Sequence, residues 1–123
     1  MNRLAIAAGL AGFIAVALGA FGAHGLEGRL SPNALGWWET ATLYSLAHAA
    51  GALALALSDH AGFRRAGWAF VIGAALFGGS LYAMAMSSLA GAPQSWLGMV
   101  TPLGGLAFLC GWILVVIAGM KRV

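Results

Sequence analysis

An all-α integral membrane fold, a four-helix bundle with both termini in the cytoplasm, is what the amino-acid sequence predicts, and three observations carry that reading. Charge is scarce: Asp, Glu, Lys and Arg make up 7% of the 123 residues, against roughly 25% in a soluble domain. Apolar side chains make up 62%, more than a water-exposed surface of this size tolerates without aggregating. The few cations stand in small groups at the ends of long apolar runs. Residues 1–123 therefore read as a single transmembrane domain, with no stretch left to bury a second core.

The first span covers residues 4–23, which hold no charged side chain and match the ~20 residues needed to cross ~30 Å of hydrocarbon. A cleaved signal segment is the competing reading, because Asn2 and Arg3 precede the run and small residues end it. A signal's apolar core is only about 7–15 residues, so a retained span is preferred. The second helix opens on Ser31 as N-cap, Pro32 in the first helical position and Asn33 in the first turn. Its span is residues 35–58, with Trp37 and Trp38 as interfacial anchors that leave Glu39 near the headgroups. Asp59 and His60 then lead into a polar connection holding Arg64 and Arg65.

No Asp, Glu, Lys or Arg occurs from residue 66 to residue 120, which is room for two spans and a turn. Gly91, Pro93, Gln94 and Ser95 mark the turn, so the third span is residues 66–90. Thr101 as cap and Pro102 as first helical residue open the fourth span, residues 102–119, which ends at Lys121 and Arg122. Trp68 and Trp96 fit as further interface anchors. Four spans place Arg3, Arg64, Arg65, Lys121 and Arg122 on one side and Arg29 on the other. The positive-inside rule makes the five-cation side cytoplasmic, whereas three spans would split the group.

Lipid is as apolar as leucine, so helices in it associate through close backbone approach. The 19 glycines supply it. Ala8 with Gly12, Ala15 with Gly19, Ala74 with Gly78 and Ala75 with Gly79 stand four apart on one helix face, and Gly104, Gly105 and Gly111 add a stripe to the fourth helix. Gly12, Gly19, Gly78, Gly79, Gly104 and Gly105 are the predicted packing positions, within one chain or between copies.

Four ordered blocks add a resemblance. Gly19-Ala20-Phe21-Gly22-Ala23-His24-Gly25-Leu26, then Trp38-Glu39-Thr40-Ala41 with Tyr44 and His48-Ala49, then Phe77-Gly78-Gly79-Ser80-Leu81-Tyr82, then Thr101-Pro102-Leu103-Gly104-Gly105 with Gly111-Trp112, resemble a family of small bacterial inner-membrane proteins of unknown function. The family includes the proteins called YgdD and YwdK, and a eukaryotic transmembrane protein is similar to it. The resemblance covers nearly the whole chain. It implies four membrane helices and an inner-membrane location, and no activity. In the third block Gly78 stands where the family usually has serine, so this chain lacks that hydroxyl.

Ionisable groups inside a span are costly and mark candidate functional positions. His48 lies eleven residues past Trp37, or ~16 Å along a helix, near mid-bilayer. Tyr44 is one turn before it and Tyr82 falls at a similar depth, so Tyr44, His48, Ser80 and Tyr82 form a candidate intramembrane polar cluster. The plainer reading, and the preferred one, is a neutral histidine satisfied by a tyrosine hydroxyl or a backbone carbonyl that holds the second and third helices together. His24 and Glu39 are candidate polar residues of the outer surface, with Glu39 placed to pair with Arg29.

Several function classes are excluded by what is missing. A haem or metal shared by His24 and His48 would have to bridge about 15 Å of depth, and neither C-x-x-C nor H-E-x-x-H occurs, so no cofactor is expected. Cys110 is alone in an apolar run and reads as a small hydrophobe. No basic stripe offers itself to nucleic acid despite the net charge of +3. Neither a nucleophile with its base nor a paired carboxylate appears, so an enzyme is not expected. The sequence favours a structural or accessory subunit that binds itself or a larger membrane complex through glycine-lined faces. The alternative is a small transporter or channel for a proton or small solute, with His48 and Tyr44 in the path.

Overall fold

The computed structural model describes residues 1–92 and 95–121, and among them every regular element is helical. Helix α1 runs Arg3–His24 and α2 runs Pro32–Ala56. Helix α3 runs Ala61–Leu89 and contains a π-helical segment, Ala74–Gly78, while α4 runs Leu97–Met120.

The helix starts show where local chemistry was legible and where it was not. Ser31 Oγ accepts from the Ala34 N–H at 3.2 Å with Pro32 in the first turn, as the sequence predicts. Helix α3, in contrast, begins five residues before the expected position 66, because His60 Nδ1 accepts from the Gly62 N–H at 3.1 Å and caps it. Arg64 and Arg65 consequently ride on the opening turns of α3 and not in a polar connection. Arg64 donates from Nη1 to the Ala56 carbonyl at 3.3 Å, satisfying an acceptor at the end of α2. Helix α4 also starts five residues early, so Thr101 and Pro102 lie inside it instead of opening it. Of the expected turn between the third and fourth helices, Gly91 takes φ +72°, a conformation that suits glycine at a helix end. Pro93, Gln94 and Arg122 lie outside the described residues.

Helices α1, α3 and α4 are long and apolar enough to cross a membrane by length and composition. Helix α2 is as long, at 25 residues, but carries Glu39, Thr40, Thr42, Ser45 and His48. It lies antiparallel along the whole of α1. Trp38 donates to the Leu18 carbonyl at one end, Gly12 faces Ala49 midway, and Asn2 Nδ2 donates to the Ala56 carbonyl at 2.8 Å at the other end. The two helices therefore occupy the same depth range.

Small residues recur along the inner faces beside a few buried rings, and many large apolar side chains point outward. Helix α1 buries Ala8, Ala15 and Gly22, and α4 buries Gly104, Gly111 and Ala118, each set spaced by seven. Helix α2 buries Ala34, Trp38, Ala41, Ser45, His48 and Ala52 in alternating steps of four and three. That heptad spacing is the seam of left-handed helix packing. Phe13, Val16, Leu43, Leu109 and Val116 point outward, the arrangement that hydrocarbon tolerates and water does not.

Consecutive helices pack on one another, while α1 and α4 form no comparable interface. Two lines of approach are left incompletely filled: one between α1 and α3, the other between α2 and α4.

Candidate functional site

Glycine against aromatic is the unit from which the interior is built. A β-carbon at Gly22 would overlap the Trp38 indole, one at Gly73 the Phe108 ring, one at Gly111 the Phe70 ring, and one at Gly104 the backbone of Phe77. Gly22, Gly73 and Gly111 each open a slot that a ring on the neighbouring helix fills, and Gly104 lets two backbones close. Of the predicted packing glycines, Gly19 meets Thr42, Gly78 meets Ser45 Oγ and Gly104 meets Phe77, whereas Gly12 makes only ordinary contact with Ala49. Gly79 and Gly105 have nothing within 4 Å of where a β-carbon would stand, so neither packs against another helix of the chain. Gly22, Gly73 and Gly67 take that role unforeseen. Their signal was the heptad spacing, which the four-residue pattern obscured.

Trp38, expected in the interfacial belt, is instead only 3% exposed. Its indole N–H needs a partner once buried and donates to the Leu18 carbonyl at 2.8 Å, through the opening that Gly22 leaves. Its ring meets Tyr82 edge-on with centroids 4.6 Å apart. Thr42 Oγ1 donates to the Trp38 carbonyl at 3.1 Å, which leaves Tyr82 to donate its hydroxyl to Thr42 at 2.7 Å.

The four residues of the expected polar cluster separate into distinct groups. Tyr82 belongs with Thr42 and Trp38. Ser80 pairs with Thr101 Oγ1 on α4 at 2.7 Å and also bonds the Phe77 carbonyl. His48, 7% exposed, bonds the Tyr44 carbonyl through Nδ1 at 2.7 Å and accepts from the Trp112 indole at Nε2, 3.1 Å away. A carbonyl only accepts, so Nδ1 carries the proton and Nε2 is the free lone pair that Trp112 finds. The histidine ties α2 to α4, not to α3, and the Tyr44 hydroxyl takes no part. Trp112, Thr42 and Thr101 are the partners that the sequence does not reveal: Trp112 stands in a motif that carries no pairing signal, and Thr101 before Pro102 has the pattern of a cap.

Around His48 the rings form a layer. Phe108 stacks on it at 3.7 Å and 15°, Tyr44 lies 9° from parallel to it, and Phe70 meets it edge-on at 5.0 Å. Phe77, in the π-helical segment, closes on both Tyr44 and Phe108. Beside this layer a groove of 550 Å³ lies between α2 and α4, lined by Tyr44, His48, Phe77, Gly105, Phe108 and Trp112 among others. A second groove, of 450 Å³, lies between α1 and α3. Its floor is made of small residues, Ala7, Ala11 and Ala15 facing Ala75 and Gly79, its rim carries Leu10, Ile14, Leu18 and Val71, and α2 contributes Ser45.

The outer-surface residues stand apart. His24 ends α1 and is exposed, and Glu39 is exposed with no ion pair to Arg29 among the described residues. No group of three or more His, Cys, Asp or Glu side chains converges on a metal-sized space among the described residues. Arg3, Arg64, Arg65 and Lys121 gather at one end of the bundle, where Asn2 meets Ala56 and Gly62 meets Ala118.

Comparison with known proteins agrees with this architecture. The protein YwdK of Bacillus subtilis, named a UPF0382 membrane protein, is 42% identical over 88% of this chain and 88% of its own length. A UPF0382 membrane protein of Staphylococcus epidermidis is 40% identical over 98% of both chains. The protein YgdD of Escherichia coli, named a UPF0382 inner membrane protein, is 39% identical over 94% of this chain and 88% of its own. No solved structure matches. The family described as protein of unknown function DUF423 matches residues 18–105, and with relatives of this identity along its length the chain belongs to that family of multi-pass membrane proteins.

Proposed function

We propose that this chain is a structural or accessory subunit of the bacterial inner membrane, without enzymatic activity, that receives one transmembrane helix in the groove between α1 and α3. The observation that carries the reading is Gly79. It is exposed, a β-carbon there would meet nothing within 4 Å, and it lines the groove together with Ala7, Ala11, Ala15 and Ala75. Small residues facing lipid give up van der Waals contact unless another backbone approaches them closely. Ser45 supports the choice of a helix over a lipid tail. It is 5% exposed, it lines the groove, and its hydroxyl makes no hydrogen bond among the described residues. A helix brings a carbonyl or hydroxyl to that depth, and an acyl chain brings none.

A path for protons or solutes draws less support, because both ring nitrogens of His48 are engaged within the bundle. The grouping of Arg3, Arg64, Arg65 and Lys121 at one end, with Arg29 at the other, supports an orientation with that end and both termini toward the cytoplasm.

The test uses the full chain in native membrane discs. With a photo-crosslinking residue at Ala11 or Ala75, adducts are expected on one helix face of a single protein, either a second copy or a larger subunit. Gly79→Leu fills the groove without disturbing the chain's own packing and is expected to abolish both the adduct and the assembly. Assembly of unchanged size with Gly79→Leu would defeat the reading.

A further inference from the structure

The groove between α2 and α4 differs in character from the one between α1 and α3. Its walls are mainly the rings of Tyr44, His48, Phe77, Phe108 and Trp112, with Pro102, Gly105, Leu106 and Leu109 beside them. Its 550 Å³ falls within the range of small-molecule sites, which hold about 300–1,000 Å³ and are lined by aromatic side chains with few polar groups.

Three features narrow the occupant. The rings of Tyr44, His48 and Phe108 share nearly one plane direction, Tyr44 standing 9° from His48 and 24° from Phe108, which suits a flat guest that continues the layer. His48 offers such a guest nothing, since both its nitrogens are engaged. Tyr44 is the polar group left over: it is 43% exposed, lines the groove, and its hydroxyl has no partner among the described residues. A phenol held at hydrocarbon depth calls for an acceptor there. The π-helical segment points to the same place, because it contributes Phe77 to the groove wall, and single-turn π segments recur at functional sites.

We infer that the groove between α2 and α4 is a binding site for a membrane-soluble molecule with a flat conjugated ring bearing a carbonyl, of the quinone class, whose carbonyl accepts from the Tyr44 hydroxyl while its apolar tail extends into lipid. This site is independent of the helix-docking groove and stands or falls separately.

The experiment titrates the full chain in lipid discs with decyl-benzoquinone and follows tryptophan fluorescence, which Trp112 in the groove wall reports. Saturable quenching is expected, with no saturation for decylbenzene, which has the tail and the ring but no carbonyl. Tyr44→Phe is expected to weaken quinone binding about three- to tenfold, as loss of one hydrogen bond does. Gly105→Leu adds a side chain where a β-carbon meets nothing within 4 Å and is expected to abolish saturation while the unfolding midpoint stays unchanged. Quenching that rises linearly with quinone, as simple partitioning does, overturns the inference. So does saturable binding that is indifferent to both Tyr44→Phe and Gly105→Leu.

Discussion

At the scale of single residues the pair His48 and Trp112 is the clearest case of a buried polar group finding its partner across the bundle. Interhelical hydrogen bonds in membranes average about 0.6 kcal/mol and reach about 1.7. A double-mutant cycle with His48→Ala and Trp112→Phe, read by detergent-induced unfolding, is expected to give a coupling in that range; a coupling of zero would mean the contact contributes nothing. Glycines make a sharper contrast. Gly104→Ala drives a methyl into the backbone of Phe77 and is expected to cost about 2 kcal/mol or more, because backbone cannot yield as a side chain does. Gly105→Ala, one residue on, has open space and is expected to leave the unfolding midpoint where it was. Both glycines looked alike in the sequence, since small residues are common on every face of a membrane helix. The sequence offered His48 either a tyrosine hydroxyl or a backbone carbonyl, and the structure gives it the Tyr44 carbonyl. Its other partner was not legible, because pairing across helices depends on rotation angles that no local pattern records.

At the scale of elements, the existence of each helix was plain and its first residue was not. Ser31 and Pro32 announce α2 through a common cap, whereas His60 caps α3 with a ring nitrogen that ordinary cap preferences do not include. Pro102 misled for a related reason. Proline suits a first turn, and here it is accommodated a turn later, inside α4. The π-helical segment had no local signature at all. It inserts the extra residue that lets Phe70 face His48 on one side of it while Ser80 and Tyr82 face Thr101 and Thr42 on the other. Deleting Ala75 is expected to restore regular α-helix and leave both halves of α3 facing their partners, because the wider turn already absorbs about 100° of rotation. An unfolding midpoint close to the original would register that, and a large drop would show the segment itself to be needed.

At the scale of the whole molecule, the number of helices followed from scarce charge and run lengths, and the placement of Arg3, Arg64, Arg65 and Lys121 at one end followed from their spacing. The open lines between α1 and α3 and between α2 and α4 did not, since they depend on which helices stay apart. Cysteine labelling in a Cys110→Ser background is expected to find positions 58 and 121 accessible from the cytoplasm and position 28 from outside. Labelling of 58 and 121 from opposite sides would refute the arrangement. The clasp of Asn2 on the Ala56 carbonyl has one more consequence, for biogenesis. With the short link after His24 it closes α1 and α2 into a hairpin fastened at both ends, and the hairpin holds the one helix too polar to qualify as a span alone. Such a segment would leave the translocation machinery as a passenger of its neighbour, so a chain synthesised without residues 1–24 should strand its next helix in the aqueous phase.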